Sequence, residues 1–273
     1  MACILVTGGA GFLGSHLVDA LVQDGHAVRV LDDLSSGTRE NLPRQIEFIY
    51  GDVTDPAAVE RAFDGIEACF HLAAIAAVVR SSCEWRRTHE VNLTGTINIF
   101  EQARRLRDRQ EVPIVYASTA AVYGDCNSVP ISEQHPAAPL SAYGADKRAC
   151  ELHAQIAGSV HGIPTVGLRF FNLHGPDRIQ THPTPVSLRY LPTNRLVASL
   201  WRFLATGSRS ATLPILAMRF SPSLRRCGLR APAPRYLTSA PVRGPRSRRW
   251  RRRWLRYIAP SWSPIIGRRD RPK

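Results

Sequence analysis

Two groups of residues have the types and spacing to do chemistry. The first is Tyr143-Gly-Ala-Asp-Lys147. Tyrosine and lysine at i and i+4 share a helix face. An ammonium beside a phenol favours the phenolate and lowers its pKa toward that of a working base. Of the 36 basic residues 34 are arginine, and Lys147 is the only lysine in the first 176 residues, so a compact point charge stands out at this position. By itself the pair also fits an ordinary helix surface. The second group is Thr7-Gly8-Gly9-Ala10-Gly11-Phe12-Leu13-Gly14, with glycines at 8, 11 and 14. A strand before it and a helix after it would place a tight glycine turn under a pyrophosphate, where a Cβ would clash. The helix start would add free N–H groups and a positive dipole end. A tight turn with no ligand is the plainer alternative. Asp32, 18 residues past Gly14, weakens that alternative. At the end of the next strand its carboxylate can accept both ribose hydroxyls of an adenosine and would repel a 2′-phosphate, which favours NAD over NADP. Asp33 is either a helper or a solvated turn residue.

The elements that must hold these groups alternate. Short apolar runs at 3–7, 27–31, 46–50, 68–72, 113–118 and 165–169 predict strands. Helical periods at 12–23, 56–63, 89–106 and 141–157 lie between them. The expected fold class is α/β, a doubly wound parallel sheet with helices on both faces.

Eight segments in order are TGGAGFLG (7–14), LDDLSSG (31–37), GDVTD (51–55), HLAA (71–74), NLTGT (92–96), ASTAAVYG (117–124), YGADK (143–147) and LRFFN (168–172). With them residues 1–176 resemble the NAD-dependent epimerase/dehydratase family of extended short-chain dehydrogenases/reductases, nearest the UDP-glucose 4-epimerase type. The resemblance implies a Rossmann domain with NAD as cofactor. Gly8, Gly11, Phe12, Leu13 and Gly14 would hold the pyrophosphate, Asp32 the ribose with Asp33 beside it, and Asp52 with Val53 the adenine. Leu72, Ala73, Ala74 and Asn92 would line the cofactor cleft. Ser118 and Thr119 would stand at the reacting sugar, although a polar cap at a strand end is the plainer role for them. Tyr143 would be the base, and Lys147 would tune it and bond the nicotinamide ribose. Phe170 would flank the nicotinamide or simply pack in the core. Asn172 would face the substrate phosphates.

The resemblance also separates reactions. Related sugar dehydratases carry Asp-Glu directly after Ser-Thr, and related decarboxylases carry Glu just before VYG. Here those positions are Ala120 and Ala121, which can do no acid–base work. Nucleotide-sugar 4-epimerisation through transient hydride transfer to tightly bound NAD is left, with a UDP-sugar as substrate and a homodimer as the family's assembly.

The last third is of another kind. Residues 1–176 hold 14 Lys+Arg and 20 Asp+Glu, a formal −6, whereas residues 177–273 hold 22 and 2, a formal +20. Twelve of the 20 prolines lie there too. The family's substrate-domain signature, of the form GDGxQxRDFxYxxD, is missing as written. Codons read one base earlier restore it. The junctions from Leu204–Ala205 to Ala217–Met218 can encode GDGxxxRDFxYxGD. The expectation is a frame change between Asn172 and Leu204, near Pro176. It leaves 1–176 as the cofactor domain and 177–273 as a basic, out-of-frame, disordered tail. The rival reading is a non-catalytic NAD-binding fragment whose basic arm binds anionic partners. No recognisable nucleic-acid module accompanies the charge.

Other classes are excluded on simpler grounds. No apolar run reaches the ~18 residues of a membrane span. The first residues lack the basic start of a signal peptide. Six scattered cysteines without a CxxC pair fit a reduced cytoplasm and no metal site.

Overall fold

The computed structural model describes residues 2–76, 78–126, 131–171 and 173. The division at Pro176, the tail from 177 onward and Asn172 lie outside the described residues.

Six strands, β1 (Cys3–Thr7), β2 (Ala27–Asp32), β3 (Glu47–Tyr50), β4 (Ala68–His71), β5 (Ile114–Thr119) and β6 (Thr165–Phe170), form one sheet. Its order is β3-β2-β1-β4-β5-β6, with every pairing parallel. The chain winds outward from β1 in both directions, so a crevice opens between the carboxyl ends of β1 and β4, where the order reverses. The helices are α1 (Phe12–Gln23), α2 (Pro56–Phe63), α3 (Val78–Cys83), α4 (Trp85–His89), α5 (Gly95–Leu106) and α6 (Ala142–Ser159).

Alternation along the strands feeds two cores. Ile4 and Val6 of β1 point to the side of α1, where they meet Leu17, Val18 and Leu21. Leu5 points the other way, into a cluster built with Ala62 and Phe63 of α2, Ile99 and Phe100 of α5, and Ala154 and Ala157 of α6. The expected doubly wound α/β sheet is therefore present.

Local chemistry sets the helix ends. Asp55 accepts the Ala57 N–H at 2.9 Å and Pro56 opens α2. Gly25, at φ +81°, closes α1 with its N–H on the Val22 carbonyl at 3.0 Å. Ser141 caps α6 by accepting the Gly144 N–H at 3.1 Å. The helical period expected over 89–106 is broken into α4, a π turn at Glu90–Thr94 and α5. A single wide turn of this kind inside a helix re-aims its side chains and recurs at functional sites.

Candidate active site

The sheet's carboxyl edge brings the predicted residues together. Thr7 lies opposite Leu31 on one side and His71 on the other, and Thr119 lies opposite Phe170. Two of the three motif glycines are required by the protein itself. Gly8 has φ +69°, and a Cβ on it would lie 2.6 Å from the Ala73 nitrogen. A Cβ on Gly14 would run into the Gly8 carbonyl, so α1 rests directly on the turn. Gly11 differs. Its φ is −75°, and a Cβ would meet nothing nearer than the Gly8 oxygen at 3.4 Å. Nothing in the fold asks for glycine there, so the free space is a cradle for a ligand. Gly11 is also the cap residue of α1, which has no side-chain cap and no acid in its first turn. Its leading N–H groups, at Phe12, Leu13 and Gly14, suit an anionic pyrophosphate.

Asp32 is buried at the end of β2. Its carboxylate accepts the Ala10 N–H at 2.9 Å and the Leu34 N–H at 2.8 Å. Burial pushes its pKa up and the two N–H donors pull it down, with the upward effect prevailing. Asp33 is engaged locally, by the N–H and hydroxyl of Ser35 at 3.0 and 2.6 Å, which is the turn role. Asp52 accepts Arg87 at 2.6 Å and the Thr54 N–H at 2.8 Å. Although burial works the other way, these bonds hold its carboxyl below the usual range. Val53 is buried under Gly95. Leu72 and Ala73 are tied to Thr7 through their N–H groups, at 3.1 and 3.3 Å. Asn92 is fully buried, and both ends of its amide close on Ile75, at 2.8 and 3.2 Å. It therefore shapes the wall beyond Ala74 rather than offering a free polar group.

Tyr143, Lys147 and Glu151 fall on one inward face of α6, each one turn from the next. Gly144 lets this helix start close to the 120–123 turn, because a Cβ there would sit 2.7 Å from the Ala121 carbonyl. That approach sets the Tyr143 phenol beside the Thr119 hydroxyl, which lowers the phenol's pKa. Ser118 points elsewhere. Its hydroxyl donates to Glu151 at 2.7 Å. Of the two residues expected at the substrate, Thr119 is thus the one beside Tyr143, and Ser118 is part of the scaffold beneath. Glu151 is buried and also takes a double bond from Arg169, at 2.7 Å each, and one from Arg148 at 2.8 Å. Phe170 packs in the core on the α1 side.

The expected electrostatics need a correction. Burial pushes the Tyr143 phenol above its ordinary range, and the Thr119 hydroxyl only partly offsets this. Burial also pulls the Lys147 ammonium down, against Cys150 and Asp146. Desolvation is the largest cause for both groups, and neither is among the causes of the other's shift.

Three contributors escaped sequence reasoning. Asn41 donates to the Ala10 carbonyl at 2.9 Å. Gly37 approaches the same carbonyl so closely that no Cβ fits. The third is His71. Gly37 and His71 lie inside segments already noted, LDDLSSG and HLAA, whereas nothing in the sequence marks Asn41.

A parallel sheet open at its switch point, a glycine turn with an open cradle, a buried acid at the end of β2 and a Thr–Tyr–Lys set mark a dinucleotide-type α/β fold. A sequence profile of the NAD dependent epimerase/dehydratase family matches residues 4–195, and the chain belongs to that family. It is 38% identical over 174 residues to a putative UDP-glucose 4-epimerase of Methanocaldococcus jannaschii, covering 63% of this chain and 56% of that one. A Thermus thermophilus UDP-glucose 4-epimerase crystallised with NAD superposes with a TM-score of 0.62 at 36% identity, over 74% of this chain and 62% of its own. The Thermotoga maritima enzyme with UDP-glucose gives 0.62 at 32%, over 74% and 63%. The chain spans about half the length of the curated relatives it matches.

Proposed function

We propose that this chain carries the NAD-binding and catalytic half of a nucleotide-sugar 4-epimerase, with a UDP-sugar as substrate. One observation carries the reading. Thr119 at the end of β5 stands beside Tyr143, with Lys147 one turn along the same helix, and two alanines follow Thr119 where other reactions of the family need acids.

The open space at Gly11 and the buried Asp32 fit NAD. Gly8, Gly11, Phe12, Leu13 and Gly14 would hold its pyrophosphate, Asp32 its adenosine ribose, and Asp52 and Val53 its adenine. NAD, when bound, supplies the hydride acceptor and a positively charged ring near the buried phenol. Tyr143 takes the proton of the sugar 4-hydroxyl and later returns it, through its phenol oxygen. Thr119 donates to that oxygen and so favours its charged form. Lys147 holds the nicotinamide ribose and adds a positive charge one helical turn away. Ala120 and Ala121 offer no group that could expel water or assist decarboxylation.

The division into a cofactor domain at 1–176 and an out-of-frame segment at 177–273 belongs to the same proposal, with the frame change between Asn172 and Leu204. The restored GDGxxxRDFxYxGD reading supports it; the family match runs on to residue 195, past Pro176 but short of Leu204. The rival fragment with an anion-binding arm finds no support in the relatives named above, all of them epimerases. We also propose a homodimer. α6 exposes Leu152 and Ile156, and Val160 just past its end continues the spacing, beside a groove lined by Ile97, Phe100 and Ile163. Among the described residues no helix is long and apolar enough to cross a membrane, and the described cysteines are free, which agrees with a cytoplasmic site.

Calorimetric titration of the chain with NAD tests the cofactor half of this proposal. Conversion of UDP-glucose to UDP-galactose by the frame-restored chain tests the reaction. Light scattering tests the dimer.

A further inference from the structure

His71 stands one residue before the Leu72–Ala74 wall and is 1% exposed. Its ring is bonded at both nitrogens, Nδ1 to Thr7 Oγ1 at 2.7 Å and Nε2 to Thr96 Oγ1 at 3.0 Å. The hydrogens can be placed from the partners. The Thr96 hydroxyl gives its one hydrogen to the Asn92 carbonyl at 2.6 Å, so toward His71 it can only accept. Nε2 therefore carries the ring hydrogen. Nδ1 is bare and accepts from the Thr7 hydroxyl, whose oxygen in turn accepts the Ala73 N–H at 3.3 Å. Burial, with the Lys147 charge adding to it, pushes the imidazole down to about 3, so the ring is neutral at any working pH.

The chain of bonds continues at both ends. The Asn92 side chain holds Ile75. The Cys150 thiol, three residues past Lys147 on α6, reaches the Asn92 carbonyl at 3.2 Å, with Thr96 Oγ1 at 3.5 Å. Four pieces are thereby joined: the end of β1 entering the glycine turn, the wall at 72–75, the π turn, and the helix bearing Tyr143 and Lys147. Gly8 shows how close the first two are, since even one methyl would collide with Ala73. An apolar residue at 71 could fill the volume but would leave the buried Thr7 hydroxyl without an acceptor and the Thr96 oxygen without its ring donor. Neutral imidazole offers a donor and an acceptor on opposite edges, which is what the two threonines require.

We propose that His71 is a positioning residue that locks the glycine turn against the cleft wall and the catalytic helix, and so holds the dinucleotide cleft at the width its cofactor needs. The inference rests on the NAD reading of the same cleft. His71 touches neither cofactor nor substrate and acts through Thr7, Ala73 and Thr96.

The test uses the full chain. Thr7→Val keeps the shape but removes the hydroxyl between Ala73 and His71, and Thr7→Ser restores it. By calorimetry Thr7→Val should bind NAD about fivefold to tenfold more weakly, as for one lost buried hydrogen bond, with Thr7→Ser close to the unaltered chain. Thr96→Val interrupts the relay at its other end and serves if Thr7→Val does not fold. In the unaltered chain, ¹⁵N NMR should show the His71 ring, assigned by its loss in His71→Gln, as the neutral Nε2–H form down to pH 5. A folded Thr7→Val or Thr96→Val that melts lower yet binds NAD like the unaltered chain would reduce His71 to a structural residue and overturn the proposal. So would a His71 ring that titrates above pH 5 or carries its hydrogen on Nδ1. An unaltered chain that takes no NAD overturns the reading of the cleft and this proposal with it. The NMR result then shows whether the relay itself was wrong.

Discussion

Residues 1–176 and 177–273 use charge in different ways. In the first region several acids hold specific partners. Asp32 holds Ala10 and Leu34, Asp52 holds Arg87, Asp55 caps α2, and Glu151 gathers Ser118, Arg148 and Arg169. In the second region 22 basic residues stand against 2 acids, so its own acids are too few to balance more than a small share of its bases. Arginine, proline and leucine are its commonest residues, with serine and alanine next. In the first region the composition reflects relations between side chains, and on the proposed frame change the second would reflect the nucleotides instead. A net charge of +14 for the whole chain therefore describes neither part.

The largest effect should come from undoing the difference. Adding one base, or removing two, between codons 172 and 204 would return the GDGxxxRDFxYxGD reading to frame. UDP-glucose to UDP-galactose conversion, followed by a coupled assay, should rise by several orders of magnitude. Well-oriented binding is worth effective molarities of about 10⁵–10⁸ M, and a sugar gripped from one side only forfeits most of that. Ordinary turnover by the unedited chain would break the comparison, because the basic segment would then be a working substrate domain. Next comes Tyr143→Phe in the frame-restored chain. Turnover should fall roughly 10²–10⁴-fold, as for loss of a general base. NAD affinity measured by calorimetry should hardly change, since the ring still packs. Near-normal turnover would remove Tyr143 from the mechanism.

Much of the first region was legible because its signals are backbone signals. The apolar runs fixed the six strands to within a residue or two, and glycines at 8 and 14 are demanded by contacts that only a strand–turn–helix creates. What stayed hidden depends on tertiary contact. Ser118 and Thr119 are neighbours with the same chemistry, yet strand alternation turns one toward Glu151 and the other toward Tyr143. The direction of the Tyr143 shift could not be read from an i, i+4 spacing, because burial of both partners is a property of the packed helix. The split of 89–106 by a π turn left no mark in the hydrophobic period.

Glu151 measures how far the first region depends on paired charge. Replacing it with alanine leaves Arg169 and Arg148 facing a hole and should cost about 3–5 kcal/mol, as is usual when a buried partner is orphaned. Urea unfolding of the chain would show this as a lower midpoint, and Glu151→Gln should lose less because the carboxamide still accepts. The pH dependence follows the same group. Burial alone would raise the Glu151 carboxyl, but Arg169, Ser118 and Arg148 bring it below the ordinary glutamate range. A depressed carboxyl contributes stability that is present above the unfolded pKa, near 4.3, and is lost as pH falls through the folded value. Asp52 acts in the same sense, and Asp32, whose pKa is raised, acts in the opposite one. The midpoint should therefore fall from about pH 5 downward, and Glu151→Gln should flatten that slope. An unchanged slope in the variant would mean that Glu151 is not the group being protonated.

The smallest effect is the most selective. Asp32→Ala removes the acceptor expected for the adenosine ribose and should weaken NAD binding by roughly 1.5–3 kcal/mol, the range for hydrogen bonds to a charged group. Part of that loss belongs to the protein, because the Ala10 and Leu34 N–H groups also bond this carboxylate and would shift without it. Asp32→Asn separates the two contributions. The carboxamide keeps one acceptor and loses the charge, so NAD affinity should fall less. NADP, which the carboxylate repels through its 2′-phosphate, should gain. Calorimetry with both cofactors on both variants gives four comparisons against the unaltered chain. If NADP already binds the unaltered chain as tightly as NAD, Asp32 is only a brace for the glycine turn. The acid with the clearest cofactor role would then join the other paired charges of the first region, and cofactor choice would have to be sought among the residues around Asp52 and Arg87.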